Sequence, residues 1–165
     1  MYKELFTLEE WYLLETAVIW MFQAIAGADG RVDVDELNAM NIIKEKAGLL
    51  ENHLSGEVLS SMQYDIEHLN TIYSFDIKNI RTGLRELSDI LKQKINSDES
   101  LLFKKTLLAL GTIIANASGS YLTQKISDVE AQTLHELALH LRIGRTEMDK
   151  LPTVYDIMQI FDTSK

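Results

Sequence analysis

Apolar residues spaced three and four apart recur along most of this chain, and no stretch sustains an apolar–polar alternation bounded by turn signals. A period near 3.6 belongs to helices and a period of 2 to half-buried strands. The chain is therefore expected to be all-α, with seven or eight helices in a bundle-like arrangement. Residues 8–25 place Leu8, Trp11, Tyr12, Leu14, Val18, Ile19, Met21, Phe22 and Ile25 on a wide apolar face, and Thr7-Leu8-Glu9-Glu10 is the capping box that starts that helix. A second helix is expected from Asp33 as N-cap, with Leu37, Met40, Ile43 and Ala47 inward and Gly48 at its end. A short helix follows from Ser55, and residues 65–75 read as partly helical. Asp76 caps a long helix to about Ile95. Gly83 inside it marks a close helix contact, since glycine there otherwise costs up to ~1 kcal/mol relative to alanine.

The next helix, about 98–116, is apolar on most sides and is expected at the centre of the bundle. Ser127-Asp128-Val129-Glu130 is a further capping box. Its helix runs to Arg142, with Leu134, Leu137, Ala138 and Leu141 inward, and Gly144 ends it. Thr146-Glu147-Met148-Asp149 opens a short helix that Pro152 stops, and residues 153–161 form a last one.

Between the first two helices lies Ile25-Ala26-Gly27-Ala28-Asp29-Gly30-Arg31-Val32-Asp33-Val34-Asp35-Glu36, with four carboxylates and two glycines in twelve residues. Its spacing matches the second half of a calcium-binding loop. Asp29 falls at the fifth position, Gly30 at the sixth, Asp33 at the ninth and Glu36 at the twelfth. Ile25 and Gly27 occupy the first and third positions and bring no side-chain oxygen, so the stretch is not a regular EF-hand. Two readings follow. Asp33 and Glu36 cap the helix while Asp29 bonds its own turn. Alternatively, Asp29, Asp33 and Glu36 converge on a divalent cation, Ca²⁺ or Mn²⁺, because hard cations select clustered oxygens. The first is the commoner arrangement, and charge crowding lifts the second above background. Asp29 sits near the negative end of the first helix, and only Arg31 offers local relief.

The pattern recurs. Ile25 to Gly30 aligns with Ile114-Ala115-Asn116-Ala117-Ser118-Gly119, and Val32 to Glu36 aligns with Ile126-Ser127-Asp128-Val129-Glu130 after an insertion of Tyr121 to Lys125. Residues 1–165 thus read as one domain with pseudo-repeats at about 7–50 and 97–144, each helix, glycine turn, capping box, helix. Ala28-Asp29-Gly30-Arg31-Val32-Asp33-Val34-Asp35-Glu36, with the weaker copy through Glu130, resembles the TerB-like (tellurite resistance) family. The resemblance implies an all-helical domain with acidic residues gathered on one face and an association with tellurite and other stress resistance. Related domains are joined to J-domain co-chaperones. The metal ligands it implies are Asp29, Asp33 and Glu36, with Glu130 from the second copy. Ser118 stands where the first copy has Asp29, so the second copy lacks that carboxylate.

Composition narrows the function classes. The net charge is −9; residues 1–50 hold four basic and nine acidic groups, whereas residues 101–165 hold seven of each. An acidic chain does not condense on nucleic acid by charge, so cations and basic protein surfaces are the natural partners. The absence of cysteine excludes disulfides, thiolate zinc sites and a cysteine nucleophile, and leaves nothing to reduce an oxyanion of tellurium. No apolar run was expected to span a membrane, and the acids of residues 1–15 do not suit a signal peptide, so a soluble, cytoplasmic protein is expected.

Catalytic patterns are weak. His135 and His140 look like a zinc-protease pair but are five residues apart, ~140° around a helix rather than on one face. Asp65-x-x-His68 is the nearest approach to a di-iron motif, and two are needed. No phosphate-binding glycine loop is present. Trp11, Trp20, Tyr12 and Phe22 read as core. The favoured expectation is a non-catalytic TerB-like module that binds a divalent cation in a stress response. The alternatives are an acidic interaction module, co-chaperone-like and without metal, and a metal-dependent hydrolase. Oligomeric state is left open, a homodimer included.

Overall fold

A computed structural model of the chain describes residues 1–26, 34–62, 77–117 and 128–161, except for the side chains of Ala26, Leu37, residues 77–79 and residues 128–131. Eight α-helices and two 3₁₀ segments, and no strand, occur among the described residues. The helices are α1 Leu8–Ala26, α2 Val34–Glu45, α3 Leu54–Ser61, α4 Ile77–Lys94, α5 Ser97–Ala117, α6 Asp128–His140, α7 Arg145–Asp149 and α8 Val154–Ile160. The 3₁₀ segments are Tyr2–Leu5 and Lys46–Leu50. The fold is an all-α bundle.

α5 is the hub. It packs against α1, α2, α3, α4, α6 and α8. Phe103, Leu107, Leu108, Leu110 and Ile114 are buried, so its apolar residues point in several directions at once. By length and composition α5 alone among the described residues is long and apolar enough to cross a membrane, and 61% of its most apolar 18-residue window is buried inside the bundle. A core helix meets that criterion by being wrapped in other helices.

α1 lies along α5 and buries Trp11, Leu14, Val18, Ile19, Met21, Phe22 and Ile25. Leu8 and Tyr12, expected on the same face, are 83% and 51% exposed. The Thr7 box forms as expected: the Thr7 N–H donates to Glu10 Oε2 (2.8 Å) and the Glu10 N–H to Thr7 Oγ1 (3.1 Å). The Thr153 box on α8 forms likewise with Asp156. The expected caps Asp33, Asp76 and Ser127, and residues 65–75, lie outside the described residues.

Gly83 is a close contact, as its position suggested. A Cβ there would come within 2.1 Å of the Trp20 ring, so α4 is seated against the α1 indole. Two helix ends differ from expectation. α2 does not stop at Gly48; it tightens into the 3₁₀ segment, which runs through Gly48 to Leu50. α6 ends at His140, and Arg142, not Gly144, takes the left-handed conformation at φ 58°. The Arg142 N–H donates to the Leu139 carbonyl (3.0 Å) and the Ile143 N–H to the Ala138 carbonyl (3.3 Å), a Schellman closure. Ile143 is buried beyond it, and Arg142 pairs with Asp89 on α4. Those contacts offset a conformation that costs a non-glycine residue ~1–2 kcal/mol. Gly144 instead caps α7, its N–H donating to Glu147 Oε1 (3.1 Å).

Candidate functional site

The acidic stretch bridges α1 and α2. Asp29 and Asp33 lie outside the described residues, as does the side chain of Glu130, which stands in the first turn of α6. Glu36 is described. It lies in the first turn of α2, in register with Met40 and Ile43, and is only 1% exposed. Asp35 beside it is exposed. The helix period therefore splits the neighbouring acids, one outward and one into the bundle. The α2 N-terminus favours a carboxylate, but burying one still costs several kcal/mol unless it is met by other groups. Glu36 is not left without a partner. Among the described residues no three His, Asp or Glu side chains gather closely enough to hold a metal.

A second polar centre surrounds the start of α5, where the sequence reading singled out nothing. Asn96 caps that helix by accepting the Glu99 N–H (2.8 Å). Glu99 is 8% exposed and turns away from α5. Its Oε1 accepts the buried Leu54 N–H (2.7 Å), and Oε2 stands 3.3 Å from His53 Nδ1. α3 has no side-chain cap of its own, so a carboxylate 45 residues away takes that part. Burial, reinforced by the Glu99 charge, pushes the Tyr2 hydroxyl up from its ordinary pKa.

Six residues on, Lys105 is 1% exposed. Its ammonium donates to the carbonyls of Lys150 (2.5 Å) and Pro152 (3.2 Å), which ties the segment between α7 and α8 onto α5. Burial pushes its pKa down, and Asp149 and Glu147 pull it back up. Glu99, His53 and Lys105 share the wall of a cavity of about 400 Å³. The signal in the sequence was the pair Lys104-Lys105 inside a very apolar helix, of which Lys105 falls on the inward side.

At the far end of α3, Trp11 Nε1 donates to Ser61 Oγ (3.2 Å), and that hydroxyl lies 2.8 Å from the Val58 carbonyl and 3.2 Å from Glu15 Oε2. One hydroxyl proton cannot serve both acceptors at once, so the two oxygens compete for it. Burial pushes the Glu15 pKa up, against the Ser61 bond and the Lys3 charge. Because the folded state holds the Glu15 proton more tightly than the unfolded chain, the group's stabilising contribution is complete below its ordinary value of 4.5. It is lost as pH rises through the higher folded value. Glu15→Gln is therefore expected to be more stable than the parent at pH 7 and to lose that advantage below pH 4.5, as read by urea unfolding at the two pH values.

The two α6 histidines diverge. His135 is exposed. His140 Nδ1 accepts from Arg85 Nε (3.2 Å), and its Nε2 lies 3.8 Å from Glu136 Oε1. Burial and the Arg85 charge lower its pKa, consistent with a neutral ring that accepts at Nδ1.

The class defined by this architecture is an all-α helical bundle with a polar-centred core helix. Comparison with family profiles, with characterised proteins and with solved structures finds no match.

Proposed function

We propose that this chain is a non-catalytic, TerB-like helical module of the cytoplasm. It binds a divalent cation at the acidic turn between α1 and α2 and acts in a stress response such as that to tellurite. The observation that carries the reading is the burial of Glu36, 1% exposed at the mouth of that turn. In the loop register Glu36 is the residue that would give two oxygens, and Asp29 and Asp33, close to it in sequence, would supply the others that a hard cation requires. Glu130 would join only if the two capping boxes meet. Calorimetric titration of the metal-free protein with Ca²⁺ and with Mn²⁺ tests it. Binding heat is expected, and it should vanish in Asp29→Asn and in Glu36→Gln. No heat with either ion removes the proposal.

A second reading has its own support. Glu4, Glu9, Asp35, Glu45 and Glu51 are all exposed within the acidic first third of the chain. A basic protein surface could dock there without metal. Capture that survives unchanged at high salt would speak against it, because exposed charges are screened within ~8–10 Å at physiological ionic strength.

A further inference from the structure

The segment that Lys105 ties onto α5 turns its own side chains outward. Leu151 is 83% exposed, Pro152 beside it is exposed, and Tyr155 in the first turn of α8 is 67% exposed. Leu151 and Pro152 line the cavity of about 400 Å³ together with Leu101 and Leu102 of α5, which are partly exposed. Single exposed apolar residues are ordinary on a protein surface, whereas an apolar group gathered around a cavity marks a place where something binds. The backbone there is held. Lys105 grips the carbonyls on either side of Leu151, those of Lys150 and Pro152. A buried ammonium with no ion pair among the described residues costs stability. Here it fixes an outward leucine in place, so a partner that covers Leu151 has little left to order.

The charges around the cavity have a net sign. The groups that line it or act on Lys105 include five carboxylates, on Asp98, Glu99, Glu147, Asp149 and Asp156, and two ammonium groups, on Lys105 and Lys150. Glu99 and Lys105 are buried and engaged within the bundle. Of the exposed groups, four acids then stand against Lys150. None of the four is in an ion pair among the described residues.

We propose that this surface docks a segment of another protein that carries apolar side chains flanked by lysine or arginine. The apolar side chains enter the cavity against Leu101, Leu102 and Leu151, and the flanking cations meet the acidic rim. A second copy of this chain fits poorly, because a two-fold axis would set the same carboxylates against themselves. Anionic lipid and nucleic acid meet the same repulsion. The proposal does not rest on the acidic turn between α1 and α2.

Titration of a fluorescent hexapeptide (two lysines, leucine, phenylalanine, two lysines) with the full chain, read by anisotropy, is the test. Saturable binding is expected, with a dissociation constant at or below about 1 mM, weakening as salt is added. Leu151→Ser should weaken it about tenfold, the scale of one leucine side chain left unburied. The variant should melt with the parent, since that side chain is exposed already. Asp149→Asn should weaken binding about two- to threefold and reduce its salt dependence. Leu139→Ser, at an exposed leucine outside the cavity wall, should leave it unchanged. No saturable binding, equal affinity in the parent and Leu151→Ser, or equal affinity for a peptide with serines in place of leucine and phenylalanine overturns the proposal. So does sedimentation that finds a parent dimer broken by Leu151→Ser, which would seat a second copy there.

Discussion

Gly56→Ala is expected to cost more than about 3 kcal/mol, although alanine in a helix normally gains up to ~1 kcal/mol over glycine. The reason is the seam between α3 and the 3₁₀ segment before it. A Cβ on Gly56 would stand 2.0 Å from the Leu50 carbonyl oxygen and 2.3 Å from its carbon. Those are backbone atoms, and no rotamer change can clear them. Either α3 lifts off the segment or Leu50 moves, and Leu50, Leu54, Val58 and Leu59 are all buried around the joint. For a chain of this length each kcal/mol is worth ~2–4 °C, so the melting temperature should fall by about 6–12 °C. Calorimetry checks this. An unchanged or raised melting temperature would mean that the two segments are not seated as described. Gly83 is a milder case, because its obstruction is the far edge of the Trp20 ring rather than main chain.

The second large effect is expected at Glu99. Glu99→Ala should destabilise by about 3 kcal/mol, because it leaves the buried Leu54 N–H with no acceptor and removes the His53 partner together. Glu99→Gln keeps an acceptor oxygen for Leu54 and should lose roughly half as much. Urea unfolding gives the two differences. Hydrogen exchange at the Leu54 amide separates them further, since only the alanine variant should expose that amide to rapid exchange. If both substitutions cost the same, the carboxylate matters for its charge and not for capping α3.

How much of this was legible in the sequence can be traced residue by residue. The helices were legible because the apolar positions of α1, α4 and α5 keep the helical period, and the capping box that opens α1 at Thr7 forms as written. The close contact at Gly83 was legible for the same reason: a glycine inside a strong helix needs a cause. Ends governed by tertiary contacts were not. A glycine at position 144 looks like a helix stop, yet the turn falls on Arg142 because Ile143 has a hydrophobic seat and Asp89 a guanidinium to hold. At the acidic turn, the sequence placed Glu36 next to the loop, and only the packing of α2 shows that it faces inward. Glu99 and Lys105 were silent because their meaning lies in what surrounds them. A glutamate or lysine on a helix reads as solvated until its neighbours across the bundle are known.

Lys105 also has a chemical consequence. Its amine is sealed beneath the segment 150–152, while Lys92, ten or more residues away in sequence, stands in water. Acylating reagents that react with free amines will reach Lys92 at once and Lys105 only when that segment swings away. The rate at which mass spectrometry finds Lys105 modified would then time the detachment of the C-terminal helix from the body of the bundle, with no probe added to the protein.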